Sequence, residues 1–309
     1  MDITFGKYSV SLARKHESVS TVAGEDRSDL LREQLTSIQT PVTARPDLLG
    51  SILMQKLQSQ NDAAEATTLL YEQGAVAVTN YFPEHEALSI SRTAFELVES
   101  EQDSLAYERD VERDDYILLT ESPRNYYDLA GSKKPILHQR LGEDFGMVDI
   151  YNFDRLCGAQ GQQLKAALAE PIIQQLFAES GKKWRPRNLN VYVNRSVSST
   201  RGFHVDSYGG RQIKAFIYLT NVLELDSGPY TYVLGSHRSD AFQRANIALT
   251  SMGTPFGSTD VPFVATERVL PFLARAGTLI VSDQSGAHRG HPQAEGASRA
   301  IAVLNFTTF

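Results

Sequence analysis

From residue 188 onward the chain alternates apolar and polar positions at the period of a β-strand. In Asn188-Leu189-Asn190-Val191-Tyr192-Val193-Asn194 the aliphatic side chains fall on one face and the polar ones on the other. Similar short runs between glycine-bearing turns place strands at 189–195, 202–206, 213–220, 229–234, 263–269, 278–282 and 299–306, with 239–252 interrupting them as a helix or loop. The first half has the other period. Leu48, Leu49, Ile52, Leu53 and Leu57 recur at helical spacing behind Pro46-Asp47, which predicts an amphipathic helix over 47–59. A second helical run, 63–73, ends at Gly74, a residue suited to a left-handed cap, and leads into a strand at 75–80. Pro83 suits the first turn of a helix with Ala87, Ile90, Ala94, Phe95 and Val98 along one side. Helical character returns over 161–178, with Leu164, Ala167, Leu168, Ile172, Ile173 and Leu176 apolar. The charged stretch 108–115 reads as a solvated loop, and residues 1–25 as a loose arm or short strand.

Helices followed by many short strands predict an α+β fold with an antiparallel sandwich or barrel as its core. No repeat, low-complexity tract or proline-rich linker divides the chain, so a single domain over 1–309 is expected.

Composition narrows the functional classes. With 30 basic against 37 acidic residues, the net charge of −7 argues against nucleic acid as a partner. The one cysteine, Cys157, rules out an intramolecular disulfide, a cysteine-based zinc site or an iron–sulfur cluster within one chain. No apolar span approaches the roughly 20 residues a bilayer requires, and no basic-then-apolar leader opens the sequence, so a cytoplasmic location is expected.

The candidate chemistry lies in Phe203-His204-Val205-Asp206. Along an extended segment His204 and Asp206 project to the same side while Val205 faces away, offering an imidazole and a carboxylate to one metal ion. A third ligand stands after the strand at 278–282: His288, with His237 and His291 as competitors. Two histidines and one carboxylate form the facial triad that suits non-haem iron(II) with positions left open. Arg299 opens the final strand and brings a guanidinium fork suited to a carboxylate. Lys214, Phe216 and Tyr218 share one parity of their strand, and Tyr192 lies on the polar face of the preceding one. Tyr126, Tyr127, His138 and Arg140 are candidates for a pocket mouth, and Arg187, Arg201 and Arg211 for an anionic substrate.

These motifs resemble the phytanoyl-CoA dioxygenase-like family of iron(II)- and 2-oxoglutarate-dependent oxygenases, whose pattern is His-x-Asp, a distal His and an Arg shortly beyond it. The likeness also takes in Glu72-Gln73-Gly74-Ala75-Val76, Leu219-Thr220-Asn221-Val222, Ser227-Gly228-Pro229 and Gly235-Ser236-His237, and spans residues 66–309. Many relatives carry Asn-Gly-Pro and Pro-Gly-Ser-His where this chain has Ser227-Gly228-Pro229 and Leu234-Gly235-Ser236-His237, departures that touch a turn and not the metal. The resemblance implies a double-stranded β-helix (jelly-roll) core over 188–309 behind an N-terminal extension, 1–65. It implies His204, Asp206 and His288 as ligands of Fe(II), with His237 in a structural turn. Arg299 would anchor 2-oxoglutarate, with Phe216, Tyr192 and Lys214 nearby, and O2 would be the oxidant. The expected activity is hydroxylation of an unactivated C–H bond of a small molecule, releasing succinate and CO2. Desaturation, epoxidation and ring formation are open to the same chemistry. A halogenase of this fold would lack the carboxylate that Asp206 supplies, and a catalytically silent metal-binding barrel would have no need of Arg299.

Overall fold

The computed structural model describes residues 2–5, 8–11, 42–106, 110–120, 129, 131–176, 184–208, 212–238, 240–251 and 256–308. Tyr126, Tyr127, Gly209, Gly210 and Arg211, most of the arm at 1–25 and the end of the 161–178 run lie outside the described residues. A separate ribbon pairs β1 (Asp2–Phe5) with β2 (Tyr8–Ser11).

Helix α1 (Pro46–Ile52) opens on proline and stops earlier than its pattern predicts, because Leu53 and Met54 become β3 and pair in parallel with Ala77 and Val78. Tertiary pairing here overrides the helical period. Helix α2 (Gln60–Gln73) starts earlier than predicted for a local reason: Ser59 and Asp62 form a capping box, each side chain accepting from the other's backbone N–H at 3.2 and 2.9 Å. Gly74, at φ +81°, ends it and releases β4 (Ala75–Val78), which is wholly buried. Helices α3 (Glu84–Ser100) and α4 (Gln102–Ala106) follow.

Four strands that the alternation did not reveal come next: β5 (Val111–Glu112), inside the stretch expected to be a loop, β6 (Ile117–Leu119), β7 (Ile136–Gln139) and β8 (Met147–Tyr151). After the short α5 (Phe153–Leu156), the single helix expected over 161–178 is instead α6 (Gly158–Leu168) and α7 (Pro171–Gln175), broken where Pro171 cannot donate a helical hydrogen bond. The remaining elements are β9 (Trp184–Arg195), β10 (Ile213–Tyr218), β11 (Tyr230–Val233), α8 (Ala241–Thr250), β12 (Val269–Pro271), β13 (Leu279–Asp283), β14 (His288–Gly290) and β15 (Ser298–Thr308). Two expected strands are corrected. Residues 202–206 form no ladder strand but an extended segment with isolated bridges at His204, and 263–269 is mostly coil and a 3₁₀ turn ahead of β12.

The large sheet runs β3-β4-β13-β10-β15-β9-β8-β7-β6-β5 and is antiparallel except at β3/β4 and β6/β7; a smaller sheet runs β12-β11-β14. Residues of one parity on the central strands, among them Leu189, Val191, Ala215, Ile217, Val281 and Ala302, pack against Leu70, Ile90, Leu164 and Leu168 of the helices. Those of the other parity, including Phe216, Tyr218, Ile280, Ile301 and Val303, pack against Tyr230, Tyr232, Leu270 and Phe272 on the small-sheet side. Helices thus cover one face of the sheet and the small sheet covers the other. Among the described residues no helix is long and apolar enough to cross a membrane.

The turn entering β13 locks this stack to the helices. Phe82 donates its N–H to the Gly277 carbonyl at 3.0 Å, and a Cβ on Gly277, at φ +83°, would stand 2.1 Å from the Phe82 oxygen. Gly277→Ala is therefore expected to destabilise the fold by about 2–4 kcal/mol, from strain plus a steric clash. Gly296→Ala, also at positive φ but in open space, should cost only about 1 kcal/mol. Denaturant midpoints of the two variants check the difference.

Candidate metal centre

The two histidines are placed by backbone pairing. His204 donates its N–H to the His288 carbonyl at 3.0 Å and accepts from the His288 N–H at 2.9 Å, so the residues stand directly opposite one another, ring centroids 4.5 Å apart. His288 is itself held in β14 opposite Tyr232. Val205 donates to the Thr259 carbonyl and Asp206 to the Gln284 carbonyl, both at 2.9 Å, which keeps 204–206 extended without a neighbouring ladder. The period-2 projection expected for His204 and Asp206 holds for that reason.

Each ring is fixed in the same way. His204 Nδ1 lies 3.0 Å from the Gly202 carbonyl and His288 Nδ1 lies 2.9 Å from the Gly286 carbonyl. A carbonyl only accepts, so Nδ1 carries the proton in each and Nε2 is left with its lone pair. One ligand atom from each of His204, Asp206 and His288 lies within 4.8 Å of the other two, with His288 Nε2 at 3.7 Å from Asp206 Oδ1.

Electrostatics favour the ligating forms. Burial pushes both imidazoles below their ordinary value, and each also feels neighbouring positive charge, so both are neutral at pH 7. Burial works against the Asp206 carboxylate, but the Lys214 ammonium, 2.6 Å from Oδ2, holds it well below the usual carboxylate range. Two neutral nitrogen donors and one carboxylate form a donor set that fits a divalent transition metal.

Arg299 is buried, 5% exposed, on β15 opposite Asn194. Its Nη1 donates to the Gly228 carbonyl, its Nε has no partner, and it makes no ion pair among the described residues. A buried guanidinium with an unused donor fits an anionic group. An aromatic wall lies beside His288: the Tyr230 ring is 5.9 Å from that of His288 and 5.1 Å from that of Phe216, and the Tyr218 hydroxyl bridges the Tyr230 N–H and the Phe272 carbonyl.

The other candidates are placed as follows. Phe216 lies in that wall, and Tyr192 is half-buried with the Arg140 guanidinium 5.6 Å from its ring centroid. Lys214 is held on Asp206 and is not a free cation. His237, with Nε2 2.9 Å from the Tyr71 carbonyl, and His291, which burial pushes down to about 4, stand outside the cluster. Arg201 is occupied by Asp260 and Thr259, Arg187 is exposed on β9, and Arg140 pairs with Asp149 and Asp144. Tyr230 and Asp149 were not singled out in the sequence. The lone acid in the apolar run Met147-Val148-Asp149-Ile150-Tyr151 was the signal available for the second.

No protein-family model matches the chain, and no curated protein matches it. Solved structures do. SnoK, a non-heme alpha-ketoglutarate-dependent carbocyclase from nogalamycin biosynthesis, is 17% identical, with 81% of this chain and 83% of that one covered at a TM-score of 0.51. The epimerase SnoN, in complex with Fe3+, alpha-ketoglutarate and nogalamycin RO, is 15% identical over 81% and 84% of the two chains at 0.49. HygX from Streptomyces hygroscopicus, with nickel and 2-oxoglutarate bound, is 12% identical over 78% and 85% at 0.43. The likeness to SnoK is one of fold.

A metal held by this cluster depends on all three side chains. Replacing His204, Asp206 or His288 by Ala is expected to weaken Co(II) binding by more than about a hundredfold, beyond what outer-shell changes cost. His237→Ala and His291→Ala should leave it unchanged. Absorbance titrations measure this, and undisturbed circular dichroism shows that the fold survives.

Proposed function

We propose that the protein is an iron(II)- and 2-oxoglutarate-dependent dioxygenase that hydroxylates an unactivated C–H bond of a small-molecule metabolite. The observation that carries this reading is the presence of a His204–Asp206–His288 cluster together with a buried Arg299 that has no ion pair among the described residues. The fold likeness to SnoK supports it. In this reading the two sheets are the walls of a jelly-roll core, residues 66–309 form the oxygenase region of a single domain, 1–65 extend it, and the protein works in the cytoplasm.

His204 Nε2, Asp206 Oδ1 and His288 Nε2 would hold the iron on one face and leave the opposite positions open. The bound iron supplies O2 activation coupled to oxidation of 2-oxoglutarate, so that substrate, O2 and 2-oxoglutarate give hydroxylated product, succinate and CO2. Arg299 receives the far carboxylate through charge-assisted hydrogen bonds and stays protonated at any working pH. Phe216 and Tyr230 exclude water between metal and anchor. Lys214 keeps Asp206 ionised from Oδ2 and leaves Oδ1 toward the histidines. A second reading, ring formation by the same chemistry, is favoured by the likeness to a carbocyclase. A silent metal-holder is disfavoured, because it gives no reason to bury Arg299.

Anaerobic addition of 2-oxoglutarate to the Fe(II)-loaded protein should produce a metal-to-ligand charge-transfer absorbance; its absence would rule the reading out. Arg299→Ala should raise the apparent 2-oxoglutarate constant at least about a hundredfold, as expected on losing one side of a buried charged pair, while leaving iron binding nearly intact. Lys214→Ala, acting on Asp206, should change that constant far less.

Because Asp206 occupies the position a halide would need, turnover in chloride should yield oxygenated or dehydrogenated product. A chlorinated main product, read by mass spectrometry, would refute that role for Asp206.

A further inference from the structure

The inner face of the large sheet carries polar side chains that the chemistry above leaves unused. Register fixes them in a row: Tyr192 stands opposite Ile301 on one side and Asp149 on the other, and Asp149 stands opposite His138. Residues paired across a ladder share a face, so Asp149 and His138 look to the same side as Tyr192. Asn194, two positions from Tyr192, joins them opposite Arg299.

Asp149 is only 1% exposed. Its Oδ2 accepts from Arg140 Nε at 2.9 Å, whereas its Oδ1 is buried without a partner, as are Asn194 Oδ1 and His138 Nδ1. Arg140 cannot serve an incoming anion, since Asp144 at 3.1 Å already completes a second ion pair; one guanidinium is matched by two carboxylates. Burial pushes His138 below its ordinary value, which keeps the ring neutral and adds no positive charge. Tyr192 lies within electrostatic reach of both Asp149 and Asp206, so the row adjoins the metal centre. A carboxylate oxygen withdrawn from water with no donor is costly, and a ligand that brings a donor removes that cost.

We propose that this row is the prime-substrate subsite and receives a ligand bearing hydroxyl or ammonium groups, with Asp149 Oδ1 as the principal acceptor. The proposal rests on the oxygenase reading for its substrate role. Acyl thioesters and simple carboxylates, which bring acceptors where acceptors already stand, are excluded by it.

The test titrates anaerobic Fe(II)- and 2-oxoglutarate-loaded protein by calorimetry with methyl glucoside, its 2-amino-2-deoxy analogue, hexanoate and S-ethyl thiohexanoate. The first two should bind at least about tenfold more tightly than the others, and Asp149→Ala should erase that margin while keeping the 2-oxoglutarate absorbance. His138→Leu breaks no hydrogen bond among the described residues and should weaken the same two probes by several-fold. Failure of both donor-bearing probes to bind, equal or tighter binding of hexanoate or S-ethyl thiohexanoate, or unchanged binding by Asp149→Ala overturns the proposal. If wild-type protein gives no 2-oxoglutarate absorbance, the oxygenase reading fails separately. The same probes titrated into the metal-free chain then decide the Asp149 preference.

Discussion

The reciprocal backbone pair between His204 and His288 is the constraint on which the site depends. Two hydrogen bonds fix the segments face to face, and the geometry of a directly opposed pair then sets the imidazoles at contact distance. Everything else at the centre refines that placement. Carbonyls two residues upstream fix both tautomers, and Gln284 and Thr259 keep the intervening chain extended so that Asp206 comes round to the same side. No ladder strand is needed to hold the motif, which is why a segment that reads as a strand functions as one without belonging to a sheet.

Charge is arranged by separation. The carboxylate of Asp206 is balanced locally by Lys214, and Arg140 is balanced by Asp149 and Asp144. Arg299 has no such counter-ion among the described residues and is buried. Burial penalises its charged form, yet a guanidinium remains protonated, so the cost is carried by the fold. Arg201 and Arg140, also candidates in the sequence, differ from Arg299 in that carboxylates already sit on them.

Much of the architecture was legible in the sequence because its causes are local. The alternation at 189–195 marks a strand with two different faces, and Gly74 ends a helix. What escaped depends on partners distant in sequence. Leu53 leaves its helix because Ala77 offers a ladder, and β6 and β7 are short, parallel and recognisable only once paired. At the site, the His-x-Asp spacing and Arg299 were readable. His288 was the distal histidine already favoured in the sequence, but that it stands directly opposite His204 shows only in the bridge between them, and the place of Lys214 only in its 2.6 Å contact with Asp206. Asp149 shows in the sequence only as the lone acid of an apolar run; that its Oδ1 has no donor is a property of the fold.

The metal-ligand cluster and the unpaired arginine belong to different layers. His288 sits in β14 of the small sheet, whereas Arg299 sits in β15 of the large one. On the proposed reading, a diacid reaching from one to the other would act as a strut between the two sheets, and the rigidity of the assembly would be a property of the cosubstrate as much as of the polypeptide.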